Sequence, residues 1–212
     1  MTSETIRDAK TDHLLTPQNA AFIIIDYQPV QVNSIASMDR QLLINNIVGT
    51  AKTAVAFGLP IVHTTVNVTS GLNKPPIAQL RHVLGDYPTY DRTTINSWED
   101  IEFRQAVEAT GRKKLVMTAL WTEACLTFPA LDALAAGYEV YVVADAVGGT
   151  SRTAHEMALR RIEQAGGKLI SLTQLLCELQ RDWKRTATVQ DFMDIFIQTG
   201  GTMGIQLSYD RD

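Results

Sequence analysis

Ala20-Ala21-Phe22-Ile23-Ile24-Ile25-Asp26 is a run of six apolar residues stopped by a carboxylate. A strand with one wet face alternates apolar and polar residues, so a short unbroken run reads as a strand covered on both faces. The pattern returns along the chain. Residues 61–66, 114–120, 139–144 and 168–171 read as further strands, and between them residues 42–57, 98–110, 127–136, 152–165 and 173–182 carry apolar positions at helical spacing. Gly58, Gly111, Gly137 and Gly166-Gly167 stand where those helices must stop. Strands alternating with helices predict a doubly wound α/β fold: a mostly parallel, Rossmann-like sheet with helices on both faces in a single domain.

Residues 67–99 interrupt the rhythm. Pro75-Pro76, Tyr87-Pro88 and the surrounding Gly, Asn and Thr predict a long connection with one short helix near 77–84. Connections of that length in compact domains are usually functional. Residues 1–19 form a polar leader, 20–185 the expected α/β domain, and 186–212 a terminal segment. Within that segment Val189, Phe192, Met193, Phe196 and Ile197 define an amphipathic helix, and Gly200-Gly201 leads into a short tail. Such a helix caps its own domain or docks on another subunit, so a homo-oligomer is expected.

Composition narrows the function classes. The 212 residues are 45% hydrophobic and 20% charged, with 19 Lys+Arg against 23 Asp+Glu for a net charge of -4. This chain has no basic stripe for nucleic acid and no apolar run long enough to span a membrane, so the expected partner is a small molecule. The leader does not resemble a signal peptide, and two cysteines are too few for a disulfide framework, so a cytoplasmic location is expected. His13, His63, His82 and His155 are scattered, which supports no metal site, and no Gly-x-Gly-x-x-Gly follows a strand, so no cofactor is expected. Gly148-Gly149-Thr150-Ser151 reads as an ordinary loop and helix cap in preference to an anion cradle. Trp98, Trp121 and Trp183 are candidates to line an apolar pocket or to pack in the core.

In open α/β sheets ligands bind beyond the carboxyl ends of the strands, where strand order reverses. Asp26 ends the first strand, an expensive place for a carboxylate unless it is paired or used. Cys125 opens the helix after the 114–120 strand, where the helix dipole is expected to lower the thiol pKa. If those two strands are neighbours, both residues face one crevice. Cys177, inside Leu175-Leu176-Cys177-Glu178-Leu179, reads as a core residue. On spacing alone, Cys125 has a core reading too.

Three segments in order decide between these readings. Ile23-Ile24-Ile25-Asp26-Tyr27-Gln28, Asp91-Arg92-Thr93-Thr94-Ile95-Asn96-Ser97-Trp98 and Thr118-Ala119-Leu120-Trp121-Thr122-Glu123-Ala124-Cys125 resemble the signature segments of the isochorismatase-like cysteine hydrolases, in particular their YcaC-like branch. Gly137-Tyr138-Glu139-Val140, Asp145-Ala146 and 178–183 add to the likeness, which runs from about Ala20 to Trp183. The resemblance implies a catalytic triad of Asp26, Arg92 and Cys125, with Arg92 where many relatives carry Lys. It also implies a cis Leu120–Trp121 peptide and an oxyanion hole from the N–H groups of Trp121 and Cys125. The implied activity is hydrolysis of a small amide or related acyl compound through a thioester, without metal. The family's nicotinamidase-type members carry an Asp-x-His-x-x-His group after the second strand, whereas His63-Thr64-Thr65-Val66-Asn67-Val68 stands here. Ala119 replaces the usual Gly, and Trp121 is bulkier than expected. Isochorismate ether cleavage is disfavoured, because it needs no thiol nucleophile. The alternative reading is a non-catalytic, oligomeric member of the same fold that binds a small ligand.

Overall fold

Strand β1 (Ala20–Ile25) lies inside a six-stranded parallel sheet, between β2 (Ile61–Val66) and β4 (Lys114–Ala119). The sheet continues beyond β4 through β5 (Glu139–Val143) to β6 (Lys168–Ile170), and β3 (Thr89–Arg92) forms the opposite edge. The order is β3-β2-β1-β4-β5-β6, so the order of winding reverses between β1 and β4, the kind of place where open α/β sheets take ligands at the carboxyl ends of their strands. The structure, a computed structural model, describes residues 7–209; the outer ends of the expected leader and tail, 1–6 and 210–212, lie outside the described residues.

The unbroken apolar run of β1 has the expected cause. Phe22 and Ile24 face one core with Leu43, Ile47 and Ala51 of α2 (Arg40–Ala56), Leu80 and Leu84 of α3 (Ala78–Leu84), and Leu175, Leu176 and Leu179 of α7 (Leu172–Gln180). Ala21, Ile23 and Ile25 face a second core with Phe103 and Val107 of α4 (Ile101–Ala109), Ala130 and Ala133 of α5 (Thr127–Ala135), and Ile162 of α6 (Arg152–Gln164). All six residues of β1 are buried. Burying one such side chain contributes about 1.5–3 kcal/mol, so the strand is held equally from both sides.

The structure departs from the sequence reading in four places. Residues 89–92, expected within a loop, form edge strand β3, whose exposed Thr89 and half-buried Tyr90 and Asp91 gave no apolar run. Pro29–Asn33 forms a short helix, α1, whose proline sits in its first turn. The terminal segment is two helices, α8 (Thr186–Thr199) and α9 (Gly201–Tyr209), so the stretch expected as an irregular tail is helical up to Tyr209. Phe192 and Ile195 of α8 join the first core, whereas α9 leaves Met203, Ile205 and Tyr209 exposed. Finally, Cys177 is exposed, not core. Leu172, Leu175, Leu176 and Leu179 form the inward stripe of α7, and residue 177 falls outside it.

Close packing explains Gly49 in the middle of α2. A Cβ there would lie 2.8 Å from Thr199 Cγ2 and 2.9 Å from Leu172 Cδ2, so the missing side chain lets α8 and α7 approach. The described part of the leader is integrated as well. Lys114 Nζ donates to the carbonyls of Asp12, His13 and Leu14 at 2.6, 2.8 and 3.1 Å, and Leu15 is fully buried. Among the described residues no helix is long and apolar enough to cross a membrane.

Candidate active site

Asp26 follows β1 with φ of 63°, a left-handed conformation that Asp tolerates better than most residues. Its N–H donates to the Thr64 carbonyl at 3.1 Å, and the carboxylate is fully buried. The cation comes from across the sheet. Arg92 ends β3, paired in register with Val66 of β2, so edge strand β3 carries the guanidinium past β2 to Asp26. Nη1 meets Oδ1 at 2.7 Å and Nη2 meets Oδ2 at 2.8 Å, a bidentate pair closed to water. Burial works against the Arg92 charge, Asp26 more than offsets it, and the guanidinium pKa is raised.

Cys125 lies on a π-helical turn, Thr122–Leu126, that leads into α5, and it is 9% exposed. Because β4 is β1's neighbour, the turn that follows it stands over the end of β1 and brings the thiol into the electrostatic range of Asp26 and Arg92. The Leu120–Trp121 peptide is cis, the geometry the resemblance implies. The thiol's protonation differs from the sequence expectation. Burial first, and the Asp26 carboxylate second, push the Cys125 pKa up to about 12, against the smaller opposing pulls of Arg92 and the Trp121 N–H. The helix start that was expected to favour a thiolate is outweighed by desolvation and a like-charged neighbour.

The turn is pinned from several directions. Trp121 Nε1 donates to Ser34 Oγ at 2.6 Å, and the Trp121 carbonyl accepts from the N–H groups of Ala124 and Leu126. Thr122 N–H donates to the Gly148 carbonyl at 2.9 Å, its hydroxyl meets His155 Nδ1 at 2.8 Å, and Glu123 Oε1 accepts from the Thr150 N–H at 2.9 Å. Gln28, fully buried, ties the ends of β1 and β2 to the following loop: its Nε2 donates to the carbonyls of Val66 and Lys74, and its Oε1 accepts from the Val66 N–H. Sequence reading missed Gln28 as a support. Its place two residues after Asp26 was visible, but its partners 38 and 46 positions away were not.

The remaining candidates lie elsewhere or serve the fold. Gly149 accepts from the N–H groups of Ala36 and Ser37, and Ser151 Oγ caps α6 by accepting from the Ala154 N–H at 3.1 Å, so 148–151 is a loop and cap. Trp98 packs edge-on against Phe103 and Tyr138, and Trp183 against Phe192. Among the described residues no group of three His, Cys, Asp or Glu is placed to hold a metal ion.

His63 is 2% exposed on β2, with Nδ1 against Thr89 Oγ1 at 3.1 Å and Nε2 without a partner. Burial lowers its pKa from 6.5 to about 4. The unfolded chain therefore binds the proton first as pH falls, and stability present above the unfolded value is lost as pH drops towards the folded one. A shift of that size corresponds to about 3 kcal/mol. We expect His63→Leu to reduce the acid-side slope of Tm against pH relative to the parent protein. Parallel slopes in thermal melts would contradict this.

Residues 20–174 match the isochorismatase domain family model. Over 171 residues the chain is 34% identical to "Probable hydrolase YcaC" of Escherichia coli strain K12, covering 80% of this chain and 82% of that one. The YcaC structure from Pseudomonas aeruginosa, solved with hexane-2,5-diol and covalent acrylamide, superimposes with a TM-score of 0.87 at 30% identity, over 94% of this chain and 98% of its own. The YcaC structure from Escherichia coli, described as an octameric hydrolase of unknown specificity, gives a TM-score of 0.86 at 31% identity, over 95% and 98%. Nicotinamidase/pyrazinamidase PncA of Bacillus subtilis shares the fold, with a TM-score of 0.60 at 16% identity over 72% of this chain and 100% of that one.

Proposed function

Given that the chain belongs to the isochorismatase-like hydrolase family, we propose that it is a metal-free cysteine hydrolase acting on a small amide or related acyl compound through a thioester on Cys125. The observation that carries this reading is the buried Cys125 thiol within the field of a buried Asp26 carboxylate that Arg92 holds by both oxygens. The covalent acrylamide in the Pseudomonas relative shows that that protein carries a nucleophile, which agrees with one in this chain.

A thiol with a pKa of about 12 is not a preformed nucleophile. Its proton passes to Asp26 as Sγ attacks the carbonyl carbon, so the sulfur charge is consumed as it forms. The oxyanion is received by the N–H groups of Trp121 and Cys125, each donor being worth about 3 kcal/mol at the transition state. Asp26 then passes the proton to the leaving nitrogen, the C–N bond breaks, and an amine departs. Water attacks the thioester while Asp26 takes its proton. The C–S bond breaks, the acid leaves, and the proton returns to sulfur. Arg92 holds the carboxylate in place throughout and supplies fixed positive charge, since it does not release a proton.

Intact-mass spectrometry with acrylamide and a small acyl library tests the nucleophile. Because Cys177 is an exposed thiol, the comparison is made without it: we expect adducts on Cys177→Ala and none on Cys125→Ala/Cys177→Ala. Failure of Cys177→Ala to form any adduct, or adducts that persist in the double variant, would overturn the assignment. The raised thiol pKa favours the alternative, a non-catalytic ligand-binding member, to the extent that Cys125 rests protonated. Turnover of any amide in the screen decides against it.

We further propose a homo-oligomer. The octameric Escherichia coli relative and the exposed Met203, Ile205 and Tyr209 on α9 support it. Light scattering should give a multiple of the chain mass, reduced by Ile205→Glu; a monomeric parent protein would refute the idea.

A further inference from the structure

The terminal nitrogens of Arg92 are fully engaged before any ligand arrives. A guanidinium carries five N–H donors, two on each terminal nitrogen and one on Nε. Arg92 Nη1 donates to Asp26 Oδ1 at 2.7 Å and to the Thr65 carbonyl at 3.0 Å, with Thr64 Oγ1 at 3.4 Å. Nη2 donates to Asp26 Oδ2 at 2.8 Å and to the Ile95 carbonyl at 3.3 Å. All four terminal hydrogens are therefore matched to acceptors. The Nε–H is the one donor left without a partner, and it is buried. A carboxylate is recognised by a fork of two parallel N–H groups, either across the end of the guanidinium or along its Nε side. Asp26 occupies the end, and the Ile95 carbonyl occupies the Nη2 half of the side, so neither fork is open.

The surrounding charges point the same way. At the Cys125 sulfur the Asp26 carboxylate outweighs the Arg92 guanidinium, and Asp100 adds negative charge within range of Arg92. Glu123, two residues before Cys125 on the same turn and bonded to Thr150, is acidic, while His155 is held towards its neutral form by burial. A second anion brought to the sulfur would meet repulsion with no free fork to answer it.

From this geometry we infer that Asp26, through its end-on hold on Arg92, is a specificity-determining residue that admits uncharged acyl substrates and rejects those bearing a carboxylate near the scissile carbonyl. The inference rests on Cys125 as the nucleophile and adds the charge class of its substrate. It also gives Asp26 a second task besides proton transfer.

Two alkylating reagents that differ mainly in charge, iodoacetamide and iodoacetate, test it on the full-length chain carrying Cys177→Ser, so that one thiol remains. Rates at one mildly alkaline pH are followed by intact mass, with 2-mercaptoethanol in the same solution fixing the intrinsic ratio of the reagents. We expect the preference of Cys125 for iodoacetamide to exceed that of 2-mercaptoethanol by about tenfold or more, because the Asp26 charge acts on the sulfur more strongly than the opposing charge of Arg92. In Asp26→Asn, which releases Nη donors, the preference should shrink by about fivefold or more. A ratio equal to that of 2-mercaptoethanol, or one unchanged in Asp26→Asn, overturns the selectivity while leaving the nucleophile standing. If neither reagent labels Cys125 while both consume 2-mercaptoethanol, the nucleophile assignment falls and the selectivity falls with it.

Discussion

Asp26→Asn is expected to lower turnover by about 10³-fold, the scale of a lost general acid–base group, and at the same time to make Cys125 easier to alkylate. The two effects separate because Asp26 acts on the thiol in opposite senses. As a proton acceptor it is needed for each acyl transfer. As a neighbouring negative charge it is one of the causes that hold the thiol near 12. Asparagine removes the acceptor and the charge together, leaving Arg92 to favour the thiolate. The pH profile of iodoacetamide labelling should then move to lower pH while amide hydrolysis is lost. A variant that merely unfolded would expose both cysteines and lose the difference between them, which peptide-level mass spectrometry would register. Retained turnover would eliminate Asp26 as the base.

Arg92→Leu should have the largest effect on stability. It leaves a fully buried carboxylate without its cation, and breaking a buried pair from one side costs about 3–5 kcal/mol. For a chain of this size that is roughly a 10 °C fall in Tm. The double variant Asp26→Asn/Arg92→Leu, in which no charge is left uncompensated, should recover a large part of the loss. Arg92 also lowers the Cys125 pKa. Its removal should therefore slow alkylation, opposite to the effect of Asp26→Asn. Arg92→Lys preserves the charge but not the two parallel N–H bonds, so its Tm should fall between those of the parent and Arg92→Leu. Equal melting temperatures for all three would show that the pair contributes nothing measurable.

The sheet was legible because burial on both faces leaves a local signature. β1 and β2 begin and end where expected, and β4, β5 and β6 differ from the expected strands by one residue at an end. β3 was not legible. A four-residue edge strand reading Thr-Tyr-Asp-Arg needs no apolar run, because its neighbour β2 supplies its hydrogen bonds from one side only. That omission matters, since β3 is the element that delivers Arg92. Cys177 was misread for a related reason: an apolar neighbourhood in sequence does not say which side of a helix a residue occupies.

The sequence by itself determined the alternation of strands and helices and the resemblance to the isochorismatase-like hydrolases, because both are written in residues close together along the chain. It also singled out Asp26, Arg92 and Cys125 as candidates. Only the tertiary structure decided that β1 and β4 are neighbours and that Arg92 reaches Asp26 end-on, across 66 positions of sequence. It also reversed the expected direction of the Cys125 pKa. Desolvation and the net field at a buried sulfur depend on everything packed around it, and a helix start read from sequence is one small part of that surrounding.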